Sequence, residues 1–369
     1  MIPVNEPLLD GNEKKYLNQC IDTGWISSEG PFIKEFEEKM AALVSRQHGI
    51  AVCNGSVAID AAVIALGIGA GDEVIMPTFT IISCAAAIVR AGAKPVLVDC
   101  TADDWNINID AIEEKITVRT KAIMVVHIYG LPVDMDRVMA IAAKHGLKVI
   151  EDAAEQHGQF YKGKPIGSFG DISTFSFYPN KHITTGEGGM IMTNDDKLAQ
   201  RCRSLRNLCF IPEKRFLHHE LGFNFRMTNL QAALGVAQLE RLDQFIEKKR
   251  AIGKKYTELL NGTPGIQLPA KTKDGNENIY WVYAIVLNAD VPFDAEQAMK
   301  MLAARKIGTR PFFWPMHEQP VFHDMGLFKG EKYPVAENAA RRGFYLPSGL
   351  ALKLTDIDVV CTELKSILK

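Results

Sequence analysis

The sequence predicts an α/β protein with two domains: a large one, whose mostly parallel sheet of the seven-stranded type is flanked by helices, and a small C-terminal α+β domain. Through the first half of the chain, short apolar strands alternate with helices of about ten residues, as right-handed crossovers between parallel strands require. After residue 267 an alternating strand is followed by three helices. The length of 369 residues also exceeds what a single core holds. We therefore expect a large domain at 1–243, including an N-terminal arm, and a small domain at 244–369.

The spacing of apolar residues locates the individual elements. Phe32, Ile33, Phe36, Met40 and Leu43 recur at the spacing of one helical face, after an arm that is expected to be irregular. By the same criterion, helices are predicted at 32–44, 57–66, 81–91, 109–116, 135–145, 198–208, 294–304, 334–342 and 356–368, with one or two more in 228–260. Strands are predicted at 49–53, 73–76, 95–98, 122–127, 147–150, 172–177, 189–193 and 279–287.

The charge balance and the cysteines narrow the class of protein. Lys and Arg number 42 against 44 Asp and Glu, so no electrostatic argument favours nucleic acid or an anionic membrane as partner. The seven cysteines are scattered and form no Cys-x-x-Cys pair, which is typical of reduced thiols. No basic region followed by an apolar one opens the chain, and no apolar run approaches the ~20 residues of a membrane span. We expect a cytoplasmic protein, without a metal site.

The most informative pattern is an acid followed 29 positions later by a lysine, Asp152 and Lys181. Asp152 ends a predicted strand, whereas Lys181 follows the hydroxyl of Ser176 and precedes a glycine-rich run at 186–189. A primary amine can form a Schiff base, and a buried carboxylate can keep a heterocyclic nitrogen protonated. The pair therefore suits chemistry on a carbonyl cofactor.

The ends of other predicted strands support this interpretation. Asn54, Gly55 and Ser56 stand at the start of a helix, where backbone N–H groups suit a phosphate. Thr80 and His127 also follow strands, and ligands collect at the carboxyl ends of parallel strands. Each signal alone has a simpler explanation: Asp152 as a helix cap, Asn54 as a turn, and the lysine loop as a surface hairpin. Their common position at one sheet edge predicts that they converge.

Five segments together resemble the sugar-nucleotide aminotransferases, which are fold type I enzymes dependent on pyridoxal 5'-phosphate (PLP). They are residues 54–56, 151–155, 176–181, 186–189 and 222–229, and the resemblance extends over nearly the whole chain. It implies that PLP is the cofactor, that Lys181 is the catalytic Schiff-base lysine, and that L-glutamate and a nucleotide-linked keto sugar are the substrates. It also implies a homodimer with shared active sites.

The resemblance assigns further residues one by one. It implies cofactor contacts by Gly55, Ser56, Val57, Ile81, Asp152, Glu155, Ser176 and Lys181, together with Asn224 of the partner subunit. Asp152 would pair with the pyridine nitrogen, Glu155 would lie near the ring hydroxyl, and the others would hold the phosphate or cover the ring. It implies contacts to the nucleotide sugar by Trp25, Ser27, Ser28, Arg226, Arg310 and His317.

One departure and several alternatives remain. Relatives commonly have an aromatic residue over the cofactor ring where this chain has Ile81, which lacks a π-system. Some family members carry histidine in place of the lysine and dehydrate the sugar, but here Lys181 stands at that position and favours amination. A PLP-binding protein without catalysis would keep the same residues. A nicotinamide-dependent dehydrogenase would need a dinucleotide fingerprint that the sequence lacks.

Overall fold

The computed structural model describes residues 1–211, 213–214 and 216–369. Its helices are α1 Glu13–Thr23, α2 Pro31–Leu43, α3 Gly55–Ala65, α4 Ile82–Arg90, α5 Met135–His145, α6 Asp196–Arg206, α7 Asn229–Leu239, α8 Leu242–Leu260, α9 Ala295–Ala304, α10 Pro320–Asp324, α11 Pro334–Arg342 and α12 Leu354–Ile367. Its strands are β1 His48–Val52, β2 Glu73–Pro77, β3 Lys94–Val98, β4 Thr120–Val126, β5 Lys148–Asp152, β6 Phe160–Tyr161, β7 Lys164–Pro165, β8 Ile172–Ser176, β9 Gly189–Thr193, β10 Ile266–Gln267, β11 Thr272–Lys273, β12 Asn276–Glu277, β13 Tyr283–Leu287, β14 Arg310–Pro311 and β15 Gly343–Leu346.

The large sheet has seven strands in the order β1-β9-β8-β5-β4-β2-β3. Strand β9 runs antiparallel to both of its neighbours, and the remaining pairs are parallel. Every strand except β9 therefore ends at the same edge. The predicted fold class, α/β with a mostly parallel sheet, is confirmed.

Helices cover the large sheet on both faces. In β4, Met124 contributes to a core that includes α3 and α4, whereas Ile123 and Val125 contribute to the opposite core with α2, α5 and α7. Because both faces are buried, the strands are apolar at nearly every position rather than alternating. This explains why short apolar runs located them in the sequence.

A second, antiparallel sheet follows α8 in the order β10-β13-β15-β14. It shares a core with α9, α12 and the second half of α8, including Tyr256 and Leu260. The first half of α8 instead places Leu242 and Phe245 in the core of the large sheet. Helix α8 thus contributes to both cores.

Three local predictions are wrong. The arm expected to be irregular contains α1, which ends at Gly24 in the left-handed conformation with φ 73°. The helix expected at 109–116 is two short 3-10 turns, with the Asn108 side chain accepting a hydrogen bond from the Asp110 N–H. The strand expected from 279 begins at Tyr283, since Tyr280 has a φ of 49° that strand geometry cannot accommodate. Within the described residues, none of the helices has the length and apolarity to cross a membrane.

Candidate active site

Lys181 lies in the loop between β8 and β9, at the carboxyl edge of the large sheet. Its side chain is only 10% exposed. The Nζ atom lies 3.8 Å from Oε1 of Glu155 and 4.0 Å from the centroid of the Trp281 ring. The amine is therefore held between a carboxylate and an aromatic wall.

A cavity of about 830 Å³ opens beside this amine. Eight of the predicted cofactor contacts line it: Gly55, Ser56, Val57, Ile81, Asp152, Glu155, Ser176 and Lys181. Thr80 lines it as well, so the predicted convergence of strand ends is confirmed for the loops after β1, β2, β5 and β8. His127 is fully buried elsewhere, with its Nδ1 accepting the Val133 N–H.

Burial controls the ionisation of the Lys181–Glu155 pair. It lowers the pKa of Lys181, and the charges of Glu155 and Asp152 only partly oppose this effect. Burial also raises the pKa of Glu155 to about 7, against the opposing charge of Lys181. Both shifts favour the uncharged forms, and the neutral amine is the form that acts as nucleophile and base.

Asp152 is buried at the end of β5 with a defined orientation. Its Oδ1 accepts a hydrogen bond of 3.0 Å from the Ala154 N–H, and its Oδ2 accepts one of 3.4 Å from the Cys84 thiol. Burial raises the pKa of Asp152, although the Ala154 N–H and the charge of Lys181 oppose the shift. A carboxylate in such a site is best stabilised by a cationic partner in the cavity.

The start of α3 also lines the cavity. The Asn54 side chain caps this helix by accepting the Val57 N–H at 3.0 Å. That N–H is therefore already engaged, whereas the first N–H groups of a helix have no partner within it. A Cβ added to Gly55 would lie 2.7 Å from Cβ of Ser176, so glycine brings the helix terminus and the Ser176 hydroxyl together. The Ser56 hydroxyl lies 2.7 Å from that of Ser83.

Two lining residues have a buried polar atom without a hydrogen-bond partner among the described residues. They are Thr174, through Oγ1, and Asn180, through Oδ1. Buried polar atoms are seldom left unpaired in native proteins, since each costs about 1–3 kcal/mol. These atoms are suited to pair with a polar group that occupies the cavity.

The predicted nucleotide-sugar arm is held by one buried side chain, that of Asn229. Its Oδ1 accepts the Phe32 N–H at 2.9 Å, and its Nδ2 donates to the Trp25 carbonyl at 2.8 Å. Its backbone N–H donates to the Ser27 carbonyl at 2.6 Å. Gly30, with φ 152°, passes so close that an added Cβ would lie 2.4 Å from Cγ of Asn229. The arm is thus anchored, with Trp25 48% exposed.

Several predicted contacts lie outside the main cavity of this protomer. Ser28 and Arg226 line a separate cavity of about 210 Å³, together with Arg203 and Arg206. Arg226 donates to the side-chain oxygen of Asn224 at 2.9 Å. Trp25, Ser27 and Asn224 line neither cavity, so their roles in binding stay predictions.

The last two predicted contacts, Arg310 and His317, differ in their position relative to the main cavity. Arg310 lines the main cavity, whereas His317 is 2% exposed and does not. Nδ1 of His317 lies 2.9 Å from the Thr78 hydroxyl and Nε2 lies 3.1 Å from Glu337. The side chains of His317, Glu318 and Glu337 each place an atom that could bind a metal ion within 4.8 Å of the others. Both ring nitrogens of His317 lie within hydrogen-bonding distance of protein groups, so its contact with the nucleotide sugar stays a prediction.

Sequence reasoning missed several residues at the site, among them Trp281, Cys84 and Ser83. Trp281 precedes β13 of the small sheet, and no strand-end rule connects it to the large sheet. Cys84 and Ser83 lie in the first turn of α4, which begins just after Ile81. The signal that could have found these two was the helix start itself, because α4 follows a strand end at the same sheet edge.

Comparison with known proteins identifies the family. The profile of the DegT/DnrJ/EryC1/StrS aminotransferase family matches residues 7–365. The chain belongs to this family. As a member it is an aminotransferase, which agrees with the resemblance found in the sequence and with the paired amine and carboxylate of the cavity.

Individual relatives match over nearly the whole chain. GDP-perosamine synthase of Escherichia coli O157:H7 is 43% identical, covering 98% of this chain and 97% of the relative. GDP-perosamine synthase of Caulobacter vibrioides is 44% identical, covering 100% and 98%. Among solved structures, that of DesV from S. venezuelae is similar with a TM-score of 0.89 and 32% identity, covering 97% of this chain and 94% of that one.

Proposed function

We propose that this family member transfers the amino group of L-glutamate to the C4 keto group of a nucleotide-linked 4-keto-6-deoxy sugar, with PLP as cofactor. The observation that carries the proposal is that the buried Lys181 amine and the buried Asp152 carboxylate line one cavity. The specific reaction we infer converts GDP-4-keto-6-deoxymannose to GDP-perosamine, a building block of O-antigen and other surface polysaccharides.

The residues of the cavity fit PLP. Asp152 needs a cationic partner, which a protonated pyridine nitrogen would supply. The start of α3 and the Ser176 hydroxyl suit the phosphate, with Gly55 allowing their close approach. Glu155, 3.8 Å from the amine, suits the ring hydroxyl. We propose that Ser56, Val57 and Ile81 complete this set, with Ile81 packing on the ring face.

PLP, when bound, supplies a carbonyl carbon for the amine and a ring that withdraws electrons from the reacting carbon. Lys181 then holds and moves the proton at the reacting carbon, once its amine is free and neutral. Asp152 stabilises positive charge on the ring nitrogen. Glu155 and the Trp281 ring fix the position of the amine, because they lie 3.8 Å and 4.0 Å from Nζ.

The choice of sugar rests on two kinds of support. Residues 25–30, 121–124, 224–229 and 310–317 resemble GDP-perosamine synthase, and two relatives of that name are 43% and 44% identical over nearly their full length. We propose that Arg310 and the arm carrying Trp25, Ser27 and Ser28 contact the nucleotide sugar. Arg226 and His317 are proposed as further contacts, Arg226 from the basic cavity beside the arm.

We also propose that two copies of the chain form a dimer with shared sites. Large apolar side chains near the proposed partner contact are exposed, including Leu221 at 92% and Ile26 at 50%. A second copy would bury them and bring the partner subunit's Asn224 to the PLP phosphate. Within each copy we propose domains at 1–243 and 244–369, with α8 joining the two cores.

The proposed function is tested by measuring glutamate-dependent turnover of a panel of GDP-, UDP- and dTDP-linked 3-keto and 4-keto sugars. We expect amination of the GDP-linked 4-keto sugar and none in the Lys181→Ala variant. Turnover of UDP- or dTDP-linked sugars alone would refute the perosamine assignment but keep the aminotransferase. A deoxygenated product without added nitrogen would indicate a dehydratase instead.

A further inference from the structure

Lys249 is a buried lysine in the middle of α8 that the proposed chemistry does not use. It is 1% exposed, and burial lowers its pKa to about 7. Its Nζ donates to two backbone carbonyls, those of Trp281 at 2.8 Å and Ser348 at 2.6 Å. Within the described residues it forms no ion pair with a carboxylate.

The first of these acceptors belongs to the residue that flanks the reacting amine. The Trp281 ring centroid lies 4.0 Å from Nζ of Lys181. Its indole N–H donates to the Asn180 carbonyl at 2.7 Å, directly beside Lys181 in the chain. Lys249 therefore holds the backbone end of Trp281, while the lysine loop holds its indole end.

The second acceptor fixes the same region from the small sheet. The Ser348 hydroxyl accepts the Tyr283 N–H at 3.3 Å, at the start of β13, two residues after Trp281. The Ser348 N–H donates to the Val4 carbonyl at 3.0 Å. One ammonium thus joins α8 to the segment that precedes β13 and to the loop after β15.

Packing alone would not require an amine at this position. A buried charge without a carboxylate is unfavourable compared with an apolar side chain of similar volume, and α8 already packs through Phe245, Ile252 and Tyr256. Lysine offers what those side chains lack, a donor that reaches two carbonyls of separate segments.

From this geometry we infer that Lys249 is a positioning residue for the reaction: by holding the Trp281 carbonyl it sets the ring against the Lys181 amine. Burial lowers the pKa of His182, next to Lys181, and the charge of Lys249 adds to this effect. The effect on catalysis rests on the proposed role of Lys181, whereas the effect on Trp281 does not.

The test uses the full-length protein labelled with 5-fluorotryptophan, which gives one ¹⁹F signal for each of the four tryptophans. Trp281→Phe identifies the signal of Trp281. We expect Lys249→Met to move that signal and Lys249→Gln, which retains one donor group, to move it less. In steady-state turnover of the PLP-loaded enzyme with glutamate and the keto sugar, Lys249→Met is expected to lower kcat about 10- to 100-fold while the KM for glutamate changes less than about twofold.

Two variants of the same helix serve as controls. Lys254→Met removes an exposed lysine and should leave both readouts unchanged. Thr257→Val removes a buried hydrogen bond of 3.0 Å to the Tyr283 hydroxyl, so it should lower Tm without moving the Trp281 signal or kcat. An unmoved Trp281 signal in Lys249→Met, or an equal movement in Thr257→Val, would overturn the inference. If the wild-type protein forms no Schiff base with PLP, the proposed function fails instead, and the ¹⁹F result still decides whether Lys249 positions Trp281.

Discussion

The carboxylate of Glu155 lies 3.8 Å from the amine of Lys181 in the main cavity, and its other oxygen accepts the Tyr129 N–H at 2.7 Å. That backbone bond fixes the carboxylate, so the amine has a charged neighbour at a constant position. The charge of Glu155 favours the ammonium form of Lys181, whereas burial disfavours it. The balance between the two determines the pH at which the amine becomes reactive.

Replacing Glu155 with Gln removes the charge that stabilises the ammonium. We expect the pKa of Lys181 to fall further, so that the neutral amine persists to lower pH. The rate at which the apoenzyme captures PLP should rise severalfold at pH values above about 7, where Glu155 is ionised in the wild type, and should approach the wild-type rate at lower pH. Glu187→Gln, at an exposed residue that also lines the cavity, is the matched control. Coincident profiles for Glu155→Gln and the wild type would contradict this account.

Replacing Cys84 with Ala removes the thiol that donates to Asp152 at 3.4 Å. Burial raises the pKa of Asp152, and this hydrogen bond partly opposes the shift, so its loss should leave less of the ionised carboxylate to pair with the cofactor ring. A net contribution of about 0.5–1.5 kcal/mol predicts PLP binding about two- to tenfold weaker, measured by fluorescence titration. Cys202→Ala, at an equally buried cysteine on α6, should bind PLP normally. Equal affinities for the two variants would be evidence against a role for the thiol.

Replacing Gly55 with Ala would place a methyl group 2.7 Å from Cβ of Ser176. Either α3 or β8 must shift, which typically costs about 1–3 kcal/mol and moves the Ser176 hydroxyl away from the helix terminus. We expect a lower Tm and weaker PLP binding. At Gly69 an added methyl would meet its nearest neighbour at 3.6 Å, so Gly69→Ala should keep wild-type affinity. Normal PLP affinity in Gly55→Ala would argue against a phosphate site at this helix.

His157 makes the stability of the protein depend on pH. Burial lowers its pKa to about 3 in the folded state, whereas an unfolded histidine titrates near ~6.5. Between these values the unfolded state binds a proton that the folded state does not, so stability falls as pH decreases through this window. The contribution is up to about 1.4 kcal/mol per pH unit.

We therefore expect the Tm of the His157→Gln variant to decrease less than the Tm of the wild type when the pH is lowered from 7 to 5. The measurement is a thermal melt at each pH. The exposed His219, replaced in the same way, should leave the pH dependence of Tm unchanged. If His157→Gln shows the wild-type difference between the two pH values, this histidine does not carry the effect.

The strand-end residues could be predicted because a parallel sheet brings them together whatever the details of packing. Predicting that Asp152 and Gly55 lie at the site required only the order of strands and helices. Trp281 could not be predicted, since it reaches Lys181 only through the docking of the small sheet on the large one. The 3-10 turns at Ile109–Ala111 and Glu113–Lys115 were also missed, because apolar spacing alone does not distinguish them from an α-helix.

The position of Lys249 could be predicted from the sequence only in part. Phe245, Lys249, Ile252 and Tyr256 follow the helical period, and all four are buried. The period therefore places the lysine on the apolar face of α8. Its position within a Lys-Lys-Arg run at 248–250 nevertheless favours the prediction of a solvent-exposed side chain. The two carbonyls that it binds also come from segments distant in the sequence, which spacing alone does not reveal.

The most direct test of the proposed function follows the nitrogen itself. The PLP-loaded protein is incubated with GDP-4-keto-6-deoxymannose and ¹⁵N-labelled L-glutamate, and the nucleotide sugar is analysed by mass spectrometry and NMR. We predict one ¹⁵N atom at C4 of the GDP-linked sugar for each 2-oxoglutarate released, and no label in the Lys181→Ala reaction. A sugar recovered without ¹⁵N, from a wild-type preparation that has bound PLP, would contradict the account.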